Sequence, residues 1–365
     1  MSLGSLTSQT FDVPSAPELM NAYFAERCWT DGLPILPPTE ERVRLMLSQT
    51  RGAPDELIGR IPPKWGPATL EKIAINAVMA GCEPAYLPVV VAAVEAMLQP
   101  QFNLYGVQAT THPVAPLAIV NGPLAKELRI NGGSGAFGPG WPANATIGRA
   151  LRLVLLNLGG AWPGVSDMAS QGSPAKYGYC IAENEDASPW EPLHVQLGFA
   201  RNESVVTMFG GESPHNVNDH VSTNGPRILN LVADAMSTPG SNPAWYLNTG
   251  QWLIGLGPEH AATIARDGFS KSDVQRYLFE RARIPLAKAR ESGMWGMHEW
   301  PTWLTALNRD DDRIPVASRP EDLVVIVVGG PGKHSVVIPN ATINRIASKQ
   351  VDRPVNPTSS DLSAG

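Results

Sequence analysis

The sequence predicts an α/β protein with a larger mixed α/β domain, residues 1–245, and a smaller parallel-sheet, Rossmann-like α/β domain, residues 246–350. Its 34 Gly and 34 Pro among 365 residues are too many for a coiled coil or a helical membrane bundle. Hydrophobic residues make up 43% and charged residues only 17%, which is typical of a chain with a large buried core. In the C-terminal third, a strand followed by a glycine turn and a helix is predicted repeatedly, as in parallel α/β sheets.

The first hundred residues are predicted to be mainly helical. A helical pattern covers residues 17–28, and Thr39 is the predicted N-cap of a second helix after a proline-rich stretch. Thr69 begins a third helix that is expected to end at Gly81. Residues 88–98 are apolar nearly all round, which predicts a buried helix.

Strands and glycine-rich turns follow. Residues 105–111 and 116–120 are predicted strands, and the second turns into a short helix at residues 124–128. The loop at residues 130–140 is rich in glycine and leads into a helix that we expect Asn144 to cap.

The predicted domain boundary lies in a low-charge stretch at residues 237–250, which is rich in Pro, Gly, Ser and Asn. A strand at residues 204–209 and a helix at residues 227–236 precede this stretch. The tail at residues 351–365 is predicted to be disordered.

Two strands define the smaller domain, at residues 252–256 and 323–328, and each ends in a glycine turn. A helix is predicted at residues 261–266. A second helix is expected to begin with a capping box formed by Ser272 and Gln275.

Composition also restricts the partners. A net charge of −6 without a Lys/Arg run argues against nucleic acid. The sequence shows neither a leader nor an apolar span, so we expect a cytoplasmic protein without membrane contact.

Cys28, Cys82 and Cys180 form no C-x-x-C pair, which fits a reducing compartment. The low charge density favours a homo-oligomer.

The densest polar cluster runs from Gly211 to His220. His215, Asp219 and His220 are candidate ligands for a divalent metal (Zn, Fe, Mn or Ni), and the two histidines are alternatively candidate acid/base groups. His112 and His194 are candidates for a third imidazole. The same pattern also fits a polar loop whose side chains bond to its own backbone.

Two glycine-rich turns are predicted to bind an anionic substrate. The turn after residue 328 lacks the Walker A spacing, so no nucleotide cofactor is indicated. Ligands of α/β sheets nevertheless bind at the carboxyl ends of the strands, where these turns lie. Backbone amides and cationic side chains at that position favour an anionic ligand. The predicted substrate-binding residues are Asn131, Gly132, Gly133, Ser134, His260, Lys333, His334 and Ser335.

Cys82 and Glu183 are further catalytic candidates. Cys82, which precedes Glu83, is predicted to be either a redox or nucleophilic thiol or a buried structural cysteine. Glu183, with Glu185 and Glu191, is predicted to belong either to a carboxylate pair for acid/base catalysis or to a solvated acidic face.

Five segments together resemble a family of bacterial proteins described as uncharacterised, thioredoxin-like or related to the UGSC (seleno)protein group. These segments are Trp29-Thr-Asp-Gly-Leu-Pro, residues 71–82, residues 106–113, Ala182-Glu-Asn-Glu185 and residues 214–220. The resemblance implies redox or thiol chemistry after the apolar strand of the small domain. The corresponding stretch here, residues 328–335, contains no cysteine.

These features predict an enzyme that acts on a small anionic organic substrate in a cleft between the domains. The expected chemistry is metal- or His-assisted, of the lyase, hydratase or hydrolase class. The alternatives are a thiol-dependent oxidoreductase that uses Cys82 and a non-catalytic protein that binds small molecules.

Overall fold

A computed structural model describes residues 5–245, 250–293 and 302–352. The α-helices are α1 Pro17–Glu26, α2 Glu40–Leu47, α3 Leu70–Ala80, α4 Leu87–Met97, α5 Leu104–Gln108, α6 Pro123–Glu127, α7 Pro142–Asn157, α8 Leu193–Gln196, α9 Gly225–Met236, α10 Asn242–Trp245, α11 Pro258–Arg266, α12 Lys271–Arg281, α13 Leu286–Glu291 and α14 Thr302–Thr305. The strands are β1 Leu57–Ile61, β2 Gly66–Thr69, β3 Ala115–Asn121, β4 Cys180–Ala182, β5 Val205–Gly211, β6 His215–Asn218, β7 Trp252–Leu256, β8 Arg283–Pro285, β9 Arg313–Pro315, β10 Leu323–Val327, β11 His334–Pro339 and β12 Ala347–Gln350.

Two four-stranded sheets form the centre of the molecule, and the α/β class predicted from the sequence is confirmed. The first sheet has the order β4-β3-β5-β12 and the second has the order β10-β7-β11-β6. In each sheet the first two strands are parallel and the other pairings are antiparallel. The second sheet is therefore mixed, whereas the sequence predicted a parallel one. The reason is that the glycine turn after β10 leads into strand β11 and not into a helix.

The sheets pack face to face between two helical layers. Along β3, Leu117 and Ile119 enter the core between the sheets, whereas Ala118 and Val120 face the helical layer that contains α3, α4 and α7. On the second sheet, Ile254 and its neighbours pack on the other side against α9, α11 and α12. Both faces of each central strand are therefore buried, which explains their nearly continuous apolar sequences.

The two sheets have equivalent strand orders, and the chain crosses between them twice. After β5 the chain joins the second sheet as β6, which pairs with β11. After β11 it returns to the first sheet as β12, which pairs with β5. The crossing segments meet at an antiparallel bridge between Gly211 and Asn340. The two sheets therefore share one strand order and one pattern of pairing, and each contains one strand contributed from the other part of the chain.

Local capping signals predicted several helices correctly. The Thr39 and Thr69 side chains accept hydrogen bonds from the backbone N–H of Arg42 and Lys72, as expected of N-caps. Gly81 ends α3 in the left-handed conformation, with φ of 90°.

Three local predictions were wrong. Residues 104–108 form helix α5 and not a strand, because Asn103 caps it by accepting the N–H of Gly106. Asn144 lies inside α7, where its side chain bonds to the backbone of Asn131. The capping box of helix α12 lies two residues before the predicted one, because Ser270 and Asp273 form it and not Ser272 and Gln275.

The division into residues 1–245 and 246–350 stays a prediction, although the exchange of β6 and β12 links the two parts through both sheets. Most of the predicted tail, residues 353–365, lies outside the described residues. In the described parts of the chain, no helix has the length and apolarity needed to cross a bilayer.

Candidate functional site

The carboxyl ends of the two parallel strand pairs meet at one edge of the molecule. The backbone N–H of Asn184, just after β4, donates to the carbonyl of Val327 at the end of β10, at 2.8 Å. The N–H of Gly329 donates to the carbonyl of Gly132 at 2.8 Å. The two glycine-rich turns that the sequence assigned to substrate binding are therefore in direct contact.

These turns enclose a cavity of about 340 Å³, which we call the Ser335 cavity. Its lining comes from residues 134–138, Gly255, residues 328–332 and residues 334–336. Gly330 packs so closely on the first loop that a Cβ atom there would lie 1.7 Å from Ser134 Oγ. A cavity of this size holds a small organic molecule.

Ser335 lines this cavity, and beside it lies a buried histidine, His260, which is not part of the lining. The Oγ atom of Ser335 is 2.8 Å from Nδ1 of His260. The backbone N–H of Gly257, which immediately precedes helix α11, donates to the same Oγ atom at 3.1 Å. Ser335 is 3% exposed and His260 is 1% exposed, so both side chains are shielded from bulk solvent.

The hydrogen bonds around His260 define its proton positions. Nε2 is 3.2 Å from the backbone carbonyl of Asp219, which only accepts, so Nε2 carries the proton. Nδ1 then accepts the hydroxyl proton of Ser335. Burial lowers the pKa of His260, and Lys333 acts in the same direction, whereas Asp219 and Glu259 oppose it. His260 is therefore a neutral base at pH 7.

Asp219 supports the imidazole through its backbone and its charge. Its Oδ1 accepts the N–H groups of Val221 and Ser222 at 3.2 and 2.8 Å. Burial alone would raise the pKa of this carboxyl. The hydrogen bonds from Ser222 and Val221 and the nearby His260 lower the pKa by more, so the net shift is downward. An ionised Asp219 stabilises positive charge on His260.

His220 pairs with His334 and not with His215. The Nε2 atoms of His220 and His334 are 3.1 Å apart, and Nδ1 of His334 is 3.0 Å from Oδ1 of Asn216. Side chains alternate along a strand, so His215 faces away from Asn216 and from this pair. Lys333 donates to the carbonyl of His220 at 3.3 Å.

The predicted metal ligands His215, Asp219 and His220 are therefore not assembled, because Asp219 bonds to its own loop and His215 lies on the other strand face. Within residues 5–245, 250–293 and 302–352, no three His, Cys, Asp or Glu side chains form a group that could hold a metal ion. His112 is also separate, with Nε2 at 2.8 Å from Oε1 of Glu212.

Glu183 belongs to a second buried polar cluster, beside a small cavity of about 150 Å³. Its Oε2 accepts from Nδ2 of Asn121 and from the N–H of Leu193, both at 2.7 Å. Its Oε1 lies 3.7 Å from Nζ of Lys271, whose pKa is lowered by burial and partly restored by Glu183. The interpretation of Glu183 as a solvated acidic face was wrong. Sequence reasoning missed Lys271, since nothing local marks a lysine at a helix start as buried.

Cys82 is a buried thiol whose Sγ donates to the carbonyl of Thr146 at 3.3 Å. Burial raises its pKa to about 12, and Arg149 lowers it only partly. The thiol form therefore dominates at neutral pH, which disfavours a nucleophilic role.

In the first glycine-rich loop, the side chain of Asn131 shapes the turn. Its Oδ1 accepts the N–H of Gly133 at 2.8 Å and its Nδ2 donates to the carbonyl of Ser134 at 2.9 Å. Gly132 lies so close to strand β4 that a Cβ atom there would be 2.5 Å from the carbonyl of Ala182. Of these residues, only Ser134 lines the Ser335 cavity.

Comparisons with known proteins return no significant match for this chain among family models, curated proteins or solved structures. The resemblance to the UGSC-related family stays a prediction.

Proposed function

We propose that the protein is a hydrolase that cleaves an ester or thioester of a small organic acid, with Ser335 as nucleophile and His260 as general base. The observation that carries this proposal is the 2.8 Å contact between Oγ of Ser335, a residue of the cavity lining, and the unprotonated Nδ1 of the buried His260 behind it. A serine hydroxyl becomes a useful nucleophile when a neutral imidazole can take its proton.

The reaction follows from these positions. Ser335 Oγ attacks the acyl carbon, its proton moves to Nδ1 of His260, and the carbonyl oxygen becomes an oxyanion. The imidazolium keeps its Nε2 hydrogen bond to the Asp219 carbonyl, and the Asp219 carboxylate offsets its charge. When the intermediate collapses, His260 returns the proton to the leaving alcohol or thiol. Water then attacks the acyl-serine, with His260 again as base, and releases the acid.

The cavity lining supports a small acyl substrate. The backbone N–H groups of Ala136, Gly138 and Gly329 already donate to carbonyls of the turns, so an oxyanion would take its donors from the other amides of the lining. Ala136, Phe137, Val328 and Val336 supply apolar contacts for the acyl chain. This combination favours a short-chain acid over a sugar or a nucleotide.

A second serine near the start of a central strand offers a comparison. Ser204 lies immediately before β5, whereas Ser335 is the second residue of β11, and the Oγ atom of Ser204 accepts the N–H of Leu124 at 3.0 Å. Binding a backbone amide at a strand end therefore needs only a serine. The imidazole beside Ser335 is an additional feature, which a purely structural role does not require.

The test compares Ser335→Ala with the matched variant Ser204→Ala in hydrolysis of p-nitrophenyl acetate, butyrate and a thioacetate ester. Each variant leaves one backbone N–H without its acceptor, at a cost of about 1 kcal/mol in stability. We expect Ser335→Ala to lose roughly a thousandfold or more of kcat/KM. Ser204→Ala should stay close to the original protein. A fully active Ser335→Ala variant, or no turnover by the original protein, contradicts the proposal.

A metal-assisted lyase or hydratase is the second candidate, and one observation favours it. The Nε2 atoms of His220 and His334 are 3.1 Å apart on an exposed edge, close to the separation of two imidazole ligands on one divalent ion. Elemental analysis of the purified protein, beside a His220→Ala/His334→Ala variant, tests this. The thiol-dependent reaction of Cys82, the cytoplasmic location and the homo-oligomer stay predictions.

A further inference from the structure

A second, larger pocket lies between helix α7 and the segment from Ala161 to Tyr177. Its volume is about 690 Å³, within the range of sites for small organic ligands. We call it the Arg152 pocket. It shares no lining residue with the Ser335 cavity.

Arg152 is the unusual residue of this pocket. It is only 9% exposed, and its Nε donates to the backbone carbonyl of Lys176 at 2.7 Å. The ion pairs found in the described residues include none to Arg152. A guanidinium offers five N–H donors, so one bond to a carbonyl leaves most of its capacity available.

The nearby carboxylates already have other partners. Asp31 binds Arg149 through two contacts of 2.8 Å, and Asp167 binds Lys176 at 2.6 Å. The charged lining residues are therefore Arg152 and Lys176 with Asp31 and Asp167, and each carboxylate makes its direct ion pair with a cation other than Arg152. Burial lowers the pKa of Arg152, and Asp167 and Asp31 only partly oppose this. Arginine nevertheless stays charged in proteins, so the pocket holds a buried cation whose nearest carboxylates are hydrogen-bonded to other side chains.

The rest of the lining is largely apolar. Leu156, Trp162, Met168 and Tyr177 line the pocket, with Ala161 and Pro163 beside them. A ligand that matches this surface has an apolar or aromatic body and a single negative charge.

We propose that the Arg152 pocket binds a small organic monocarboxylate, with its carboxylate on the Arg152 guanidinium and its apolar body against Trp162 and Tyr177. A carboxylate matches the planar guanidinium by two parallel hydrogen bonds. It also gives Arg152 the direct ion pair that Asp31 and Asp167 make with other residues. This site is separate from the proposed hydrolytic centre and does not depend on it.

The experiment measures binding of 3-phenylpropionate and its neutral amide by titration calorimetry. The acid should bind at least about tenfold more tightly than the amide, because charge-assisted hydrogen bonds are the stronger ones. Arg152→Gln should abolish this preference, and Arg276→Gln, at an exposed arginine outside the pocket, should leave it unchanged. Tyr177→Ala should weaken binding of both ligands without affecting folding, because Tyr177 is exposed.

Ser335→Ala should bind the acid like the original protein, which separates this inference from the hydrolase proposal. Equal binding of acid and amide, or no binding of the acid up to about 10 mM, overturns the proposal. Unchanged binding in Arg152→Gln also overturns it. If Arg152→Gln does not fold, unchanged affinity in Tyr177→Ala overturns it.

Discussion

Replacing Gly330 by alanine tests whether the two glycine-rich turns enclose the Ser335 cavity. The new Cβ atom would lie 1.7 Å from Oγ, 2.8 Å from Cβ and 3.0 Å from Cα of Ser134. Rotation of the serine side chain removes only the first of these clashes. The turns must therefore move apart.

The cost can be worked from these contacts. Residual overlap with Cβ and Cα is of the overpacking kind, which lowers the free energy of unfolding by about 1–3 kcal/mol. Ser134→Gly removes both side-chain atoms and costs about 0.5–1 kcal/mol through loop entropy. In the double variant only the 3.0 Å contact with Cα remains, so part of the cost of Gly330→Ala should disappear, which gives a coupling free energy of about 1–2 kcal/mol.

Urea unfolding followed by tryptophan fluorescence measures all four members of this cycle. Gly240→Ala is the control, because nothing lies within 4 Å of a Cβ atom there. It should change stability by less than about 0.5 kcal/mol. A Gly330→Ala variant with unchanged stability, or additive effects in the double variant, would refute the contact between the turns.

Three further predictions concern the core, the thiols and the base. Phe209→Ala should lower the free energy of unfolding by about 3–5 kcal/mol in urea titrations, because Phe209 is fully buried between the sheets. A thiol reagent such as DTNB should modify Cys28 rapidly in the native protein, whereas Cys82 and Cys180 should react only after unfolding, because burial raises their pKa. The acid limb of kcat/KM should lie below pH 6.5, because burial lowers the pKa of His260 and only the neutral imidazole accepts the serine proton.

Each of these predictions has a clear contrary result. Leu231→Ala, at an exposed position, is the control for Phe209→Ala, and equal effects of the two would argue against a core between the sheets. Rapid modification of more than one native thiol would contradict the burial of Cys82 or Cys180. An acid limb of kcat/KM with its midpoint above pH 6.5 would contradict a base with a lowered pKa.

The sequence predicted features that depend on a few neighbouring residues. The N-caps at Thr39 and Thr69 and the C-terminal glycine at Gly81 depend on neighbouring residues, so the local sequence was sufficient to predict these helix ends. Helix α5 was missed because its cap, Asn103, adopts the left-handed conformation, which short patterns of β-prone residues do not reveal.

Long-range features were not predictable in the same way. The exchange of β6 and β12 depends on pairing between strands more than a hundred residues apart, and hydrophobic periodicity carries no information about partners. The contact between Ser335 and His260 joins residues 75 positions apart. One signal was available for Arg152, since it interrupts the apolar run Leu151-Arg-Leu-Val-Leu-Leu156 of α7.

Covalent labelling tests the central claim about Ser335 most directly. The protein is incubated with a fluorophosphonate, which reacts with serine hydroxyls activated by a base, and the modified peptide is identified by mass spectrometry. The hydrolase proposal predicts one adduct, on Ser335, that is lost in His260→Gln and kept in Ser204→Ala. An unlabelled Ser335, or labelling that persists in His260→Gln, would contradict it.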